Sequence, residues 1–283
     1  MVDVVALNVR TEIAFGLFSD GCTSLSWKTG RHAFLAQNWD WMQAQKENLI
    51  QINIFQPDLP TIKMITEAGI IGKIGLNSCG VGVCLNAIRA GGMDSKRIPV
   101  HLGLRMALEQ KSALDAVAVL EARGMASSAH LLIADAMSAT GLEVTSSTIA
   151  RIRPDEDGRI VHTNHLLREH PGVNEPKWLP DSEFRLQRIQ TLISGLQNRS
   201  RGVHDEEDND NDRVEVPTWG DIAALFEDQE NWPAAICRSP DKDSGSLSAT
   251  LFNIVMDLKA RRAVVRVGRP CNVEETIELD FGS

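Results

Sequence analysis

The sequence predicts an α+β protein in which helices pack on antiparallel sheets. Short runs rich in apolar and β-branched residues fill the first third, two adjacent helical segments follow, and strands resume on either side of a further helix. A chain of 283 residues can bury a sizeable core, and 43% hydrophobic with 24% charged residues is the composition of an ordinary globular protein.

The runs HAFLAQNWD (32–40), LIQINIF (49–55) and TIKMITEAG (61–69) have strand content and end in turn-forming residues. In the glycine-punctuated stretch 69–87, Gly80-Val81-Gly82 is followed by Leu85 where a dinucleotide loop needs glycine. No Lys-Ser/Thr pair completes a phosphate loop, so the stretch reads as close-packed strands around glycine bends. Residues 99–123 predict two helices, with Pro99 at the first start, Ser112 capping the second and Gly124 just past its end. Leu102, Met106, Leu108, Val117 and Leu120 recur at helical spacing as a core face. Strands are expected at 129–136, at 142–147 after a turn at Thr140-Gly141, and at 159–165 after Asp157-Gly158. Residues 181–196 predict an amphipathic helix capped by Asp181 or Ser182, and 220–228 a short helix. Two strands rich in β-branched residues, 249–257 and 261–268, close the pattern. The polar, acidic stretch 197–217 predicts a disordered insertion. It is not a calcium loop, because Arg213 and Trp219 stand where such a loop needs glycine and a bidentate glutamate.

Several function classes drop out. A net charge of −9 lacks the clustered basic face of a nucleic-acid binder. No run approaches the roughly 18–20 apolar residues of a membrane span. The N-terminus lacks the basic and apolar regions of a secretion signal, and the C-terminus is not a peroxisomal address, so a cytoplasmic location is expected. Five scattered cysteines (22, 79, 84, 237, 271) form neither a disulfide framework nor a zinc pattern. No metal and no cofactor are expected.

Cys22, in FSDGCTSLSW, directly follows Gly21. Cleavage between them would free an α-amino group of ordinary pKa about 7.7–8.0 beside the thiol, giving one residue both nucleophile and base. On these residues alone, an unreactive turn cysteine is the favoured reading. In QNWDW (37–41), strand alternation puts Asn38 and Asp40 on one face. In VHTNH (161–165), His162 and Asn164 share a face and His165 takes the other. A structural histidine fits His162, since no further ligand stands at metal-binding spacing, and the Asn164 amide is able to donate to a developing oxyanion. The stretch DSGSLSA (243–249) contains Ser246 but lacks the Gly-x-Ser-x-Gly spacing of a nucleophilic serine.

Taken together, LNVRTEIAFG, DGCTS, QNWDW, KENLIQI, the stretch from Leu59 to Val83, GRIVHTNH, ATLFNI and VGRP resemble the acyl-coenzyme A:isopenicillin N acyltransferase family, a group of self-processing N-terminal-nucleophile enzymes, from about Val5 to about Pro270. The resemblance implies an αββα sandwich of two antiparallel sheets between helical layers, lacking part of the N-terminal helical segment. It implies a single domain that cuts itself at Gly21-Cys22, with 1–21 as the small chain and 22–283 as the large one, paired as a heterodimer. Cys22 would be the nucleophile, Asp40 the functional aspartate and Asn164 the oxyanion support, with Thr145, Ser246 and His162 as further candidates for substrate or oxyanion support. Acyl-coenzyme A would be a co-substrate, and the partners a small-molecule acyl donor and an amine acceptor. Pure amidohydrolysis and an impaired, truncated paralogue are the alternatives. Two departures stand out: Ser246-Leu247-Ser248 replaces the family's Ser-Arg-Gly, with Arg238 no equivalent in that motif, and Thr145 replaces a serine.

Overall fold

The computed structural model describes residues 1–14, 21–202, 217–241, 243 and 245–281. In chain order the elements are α1 (Val2–Asn8), α2 (Arg10–Ala14), β1 (Cys22–Lys28), β2 (Ala33–Met42), β3 (Leu49–Ile54), β4 (Ile62–Glu67), β5 (Ile74–Asn77) and β6 (Gly82–Ala87). There follow α3 (Val100–Leu108), α4 (Ala113–Arg123), β7 (Ala129–Ala134), β8 (Ala139–Val144), β9 (Ile149–Ile152) and β10 (Arg159–His162). The chain continues through α5 (Asp181–Gly202), α6 (Trp219–Leu225), β11 (Ser248–Asp257), β12 (Arg262–Arg269) and β13 (Asn272–Asp280).

Two antiparallel sheets result, one in the order β10-β1-β2-β11-β12-β13 and the other running β3 to β9 in sequence. They pack through β1, β2, β6 and β7, with α3 and α4 on the seven-stranded sheet and α5 and α6 on the six-stranded one. This is the expected αββα sandwich. Strand alternation assigns the faces. From β2, Leu35, Trp39 and Trp41 enter the inter-sheet core, whereas Phe34 and Ala36 join Ile189, Ile193 and Ile222 beneath the helices.

The predicted caps form: Ser112 Oγ accepts the Asp115 N–H at 3.1 Å, and Gly124 turns the chain at φ +67°. The turn expected at Thr140-Gly141 lies elsewhere. It forms at Asp135, whose carboxylate accepts the Met137 and Ser138 N–H groups at 2.7 and 2.8 Å. Gly141 sits inside β8 because a Cβ there would lie 2.6 Å from the His130 ring. Helix α5 runs to Gly202, six residues into the segment expected to be disordered, and 203–216 lie outside the described residues.

Candidate active site

Cys22 opens β1 opposite Trp39 of β2 and packs in the inter-sheet core with 1% of its surface exposed. The bond preceding it is held from both sides. The Cys22 N–H donates to Asn164 Oδ1 at 2.8 Å, and the Gly21 carbonyl accepts the Asp40 N–H at 2.8 Å. A Cβ on Gly21 would lie 2.7 Å from Asp40 Oδ2 and 2.9 Å from Arg238 Nε, so glycine is needed here for space.

Asp40 is fully buried. Thr250 donates to its Oδ1 at 2.6 Å, and its Oδ2 lies 3.4 Å from Arg238 Nε. Among the described residues neither Oδ2 nor Nε has a hydrogen-bond partner, and both face the Gly21 backbone. Burial pushes the Asp40 carboxyl up to about 6, against the opposing pull of Arg238, Arg185 and the Thr250 hydrogen bond.

Two arginines meet at Asp181, the first residue of α5. Arg185 Nε donates to Asp181 Oδ2 at 2.7 Å, and Arg238 donates to the same oxygen. Burial raises the Asp181 carboxyl, but the two guanidiniums outweigh it and hold it below its ordinary value. Arg185, itself fully buried, also reaches the Cys22 carbonyl at 2.7 Å, Thr23 Oγ1 at 3.1 Å and Asn164 Oδ1 at 2.9 Å.

Asn164 therefore sits at the site with its amide already engaged. Its oxygen takes donors from Cys22 and Arg185 while its Nδ2 donates to the Ala87 carbonyl at 3.0 Å, a pattern that fixes which end is which. With the chain uncut, Asn164 acts on the Cys22 nitrogen as an acceptor. The other candidates lie apart. Thr145 Oγ1 faces Thr148 Oγ1 at 2.8 Å and accepts its N–H at 2.9 Å inside the β8–β9 turn. His162 Nε2 contacts Glu143 at 2.8 Å and its ring stacks on His130 at 3.6 Å, a structural arrangement. Ser246 pairs with Asp241 in an isolated bridge. Leu247 is exposed, and the cation beside Asp40 is Arg238, outside that motif. Among the described residues no group of three His, Cys, Asp or Glu side chains is arranged to hold a metal, and no helix is long and apolar enough to cross a membrane.

A cavity of about 130 Å³ adjoins this cluster through Trp39 and Ala87, and Trp41, Leu85, Lys73, Glu12, His101 and Trp178 also line it. Its polar wall is well ordered. Glu67 accepts Lys73 at 2.7 Å and Arg10 at 2.6 Å, and the Lys73 ammonium stands 4.0 Å over the Trp39 ring.

Residues 27–272 match the family model described as acyl-coenzyme A:6-aminopenicillanic acid acyl-transferase. The chain belongs to this family. It is 44% identical over 285 aligned residues to the Emericella nidulans acyl-coenzyme A:6-aminopenicillanic-acid-acyltransferase 40 kDa form, covering 99% of this chain and 74% of that one. The fold is shared more widely. Penicillin V acylase from Agrobacterium tumefaciens superposes with a TM-score of 0.55 at 10% identity, over 92% of this chain and 86% of its own. A Caenorhabditis elegans orthologue of N-acylethanolamine-hydrolyzing acid amidase does so with a TM-score of 0.55 at 14% identity, over 84% and 93%. This member of the acyltransferase family places three charged residues, Asp181, Arg185 and Arg238, around the bond before Cys22. None of the three was singled out from the sequence as a site residue. A signal existed for one: Arg185 occupies the buried stripe formed with Ser182, Ile189 and Ile193, where an apolar residue is expected.

Proposed function

We propose that this chain is a cysteine acyltransferase that cuts itself between Gly21 and Cys22 and then exchanges acyl groups through Cys22. The observation that carries the reading is the convergence on Gly21 of a buried carboxylate oxygen and a buried guanidinium nitrogen, both without hydrogen-bond partners among the described residues. In the first step the Cys22 sulfur attacks the Gly21 carbonyl carbon, and the Asp40 N–H, already 2.8 Å from that oxygen, holds the developing negative charge. The C–N bond breaks, the thiol proton passes to the departing nitrogen with Asp40 as the buried acid–base group nearby, and water hydrolyses the thioester.

The freed Cys22 then carries an α-amino group of ordinary pKa about 7.7–8.0, able to take the thiol proton. Asn164 Oδ1 is placed to accept from that amine and Arg185 to hold the Cys22 carbonyl. The thiolate attacks an acyl-coenzyme A carbonyl, coenzyme A leaves as its thiol, and an amine acceptor takes the acyl group from sulfur. The adjoining cavity, with Trp39, Trp41 and Leu85, suits an apolar acyl chain. The Emericella relative's name supports 6-aminopenicillanic acid as acceptor.

The test is incubation of purified protein with phenylacetyl-coenzyme A, with and without 6-aminopenicillanic acid. Free coenzyme A and a phenylacetyl amide are expected, both lost in Cys22→Ala. Amide formation undiminished in Cys22→Ala would overturn the assignment. Thiol release that ignores the acceptor would make the protein a hydrolase.

A further inference from the structure

Cys237 and Cys271 lie 34 residues apart in sequence, yet their sulfurs stand 3.0 Å apart. That is about 1 Å beyond the roughly 2.05 Å of a disulfide bond. Cys237 is buried at the end of the segment that follows α6, and Cys271 is half-buried in the turn between β12 and β13. The remaining cysteines sit elsewhere: Cys79 is exposed on the β5–β6 turn, and Cys22 and Cys84 lie in the inter-sheet core.

The segment carrying Cys237 is otherwise held by Ile236 packing in the core beneath the helices, by ion pairs and by hydrogen bonds. The Cys237 N–H donates to the Asp228 carbonyl at 2.8 Å, and Asn38 Nδ2 donates to the Ile236 carbonyl at 2.9 Å. The next residue is Arg238, whose N–H donates to Thr250 Oγ1 at 2.9 Å and whose guanidinium spans Asp40 and Asp181. A covalent bond at Cys237 would thus restrain the backbone one residue from the arginine beside the scissile glycine.

The two thiols differ in reach. Burial, with the hydrogen bond to Cys271 adding to it, pushes the Cys237 thiol up to about 12, so it stays protonated near neutrality. Cys271 is the one solvent reaches.

We propose that Cys237 and Cys271 form a reversible disulfide that pins the Arg238 segment to the β12–β13 turn. Hydrogen peroxide oxidises the Cys271 thiol to a sulfenic acid and releases one water. The Cys237 sulfur then attacks the sulfenic sulfur, its proton leaves with the hydroxyl as a second water, and the S–S bond forms. Two thiols lose two electrons, and the peroxide is reduced to two waters. A dithiol reductant reverses the step by exchange.

The test treats the full-length protein with hydrogen peroxide, blocks remaining thiols with N-ethylmaleimide and maps peptides by mass spectrometry. The expected result is one linked peptide joining residues 237 and 271, lighter by two hydrogens, that dithiothreitol separates. Oxidation should also raise Tm by about 5 °C and slow amide exchange over residues 234–241 about tenfold. Cys271→Ser should lose all three responses. The mapping of the unmodified chain decides by itself should that variant misfold. Recovery of both thiols alkylated, of Cys271 as its sulfinic acid with Cys237 still free, or of a linked peptide without slowed exchange over 234–241, would overturn the proposal.

Discussion

At Asp40, two opposing effects set the acid–base behaviour. Removing the carboxyl from water favours its neutral form, and the Arg238 guanidinium 3.4 Å away favours the charged one, leaving it at about 6. If Asp40 handles the proton in self-cleavage, the rate should change across an inflection near pH 6. Arg238→Gln removes the largest lowering influence, so the inflection should move to higher pH. Arg238→Lys, which keeps the charge, should move it back towards the parent value. Asp40→Asn should abolish it. Following fragment appearance by gel across pH 4.5 to 8.5 measures all three, and an inflection unmoved in Arg238→Gln would mean that the arginine serves packing alone. Asp40 was legible as a site residue only through the family resemblance, since alternation in QNWDW put it on one face with Asn38 without giving it a role. Its cation was not, because Arg238 reaches it from a loop 198 positions along the chain and no spacing rule links the two.

The strands that build the site show why some elements were readable and others were not. β2 combines apolar residues on its inter-sheet face with a glutamine, an asparagine and an aspartate that each find a partner, so its pattern stands out. β1 does not, because CTSLSWK alternates small polar residues with apolar ones and buries both kinds; Ser24, for instance, donates to Asn86 of β6 at 2.7 Å. β13 is an edge strand whose side chains are mostly exposed and acidic, with apolar alternation confined to Ile277 and Leu279, a composition that discourages edge pairing with other chains. Beside β4, the buried pair Glu67–Lys73 is held by geometry that sequence does not reveal. Burial raises Glu67, but Lys73 and Arg10 outweigh it and bring it down to about 2. A carboxyl lower in the folded than the unfolded state contributes stability that is present above its ordinary value of 4.5 and is lost as pH falls towards about 2. Lys73→Met leaves that carboxylate with Arg10 alone and should cost about 1–3 kcal/mol by urea denaturation at pH 7. The deficit should shrink below pH 4. A loss under 1 kcal/mol at pH 7 would show the pair to be dispensable.

For the molecule as a whole, the fold follows from two sheets that each need both faces covered. The six-stranded sheet supplies Cys22 and Asp40 from neighbouring strands, and Arg238 and Asn164 arrive on segments packed along its edge and end. The N-terminal helices attach to the other sheet: Asn8 Nδ2 donates to the Gly69 carbonyl at 2.8 Å, and Glu12 Oε1 accepts the Val100 N–H at 2.9 Å. Residues on both sides of the Gly21–Cys22 bond are therefore fastened independently, and the bond itself lies between two hydrogen-bonded anchors. Folding is expected to lead to scission there. Intact-mass measurement with N-terminal sequencing of the full-length purified protein tests it directly. Two chains that stay together are expected, the larger beginning at Cys22, with a single uncut chain for Cys22→Ala. A parent protein that remains one chain after folding, or that begins its larger fragment at any other residue, would contradict it.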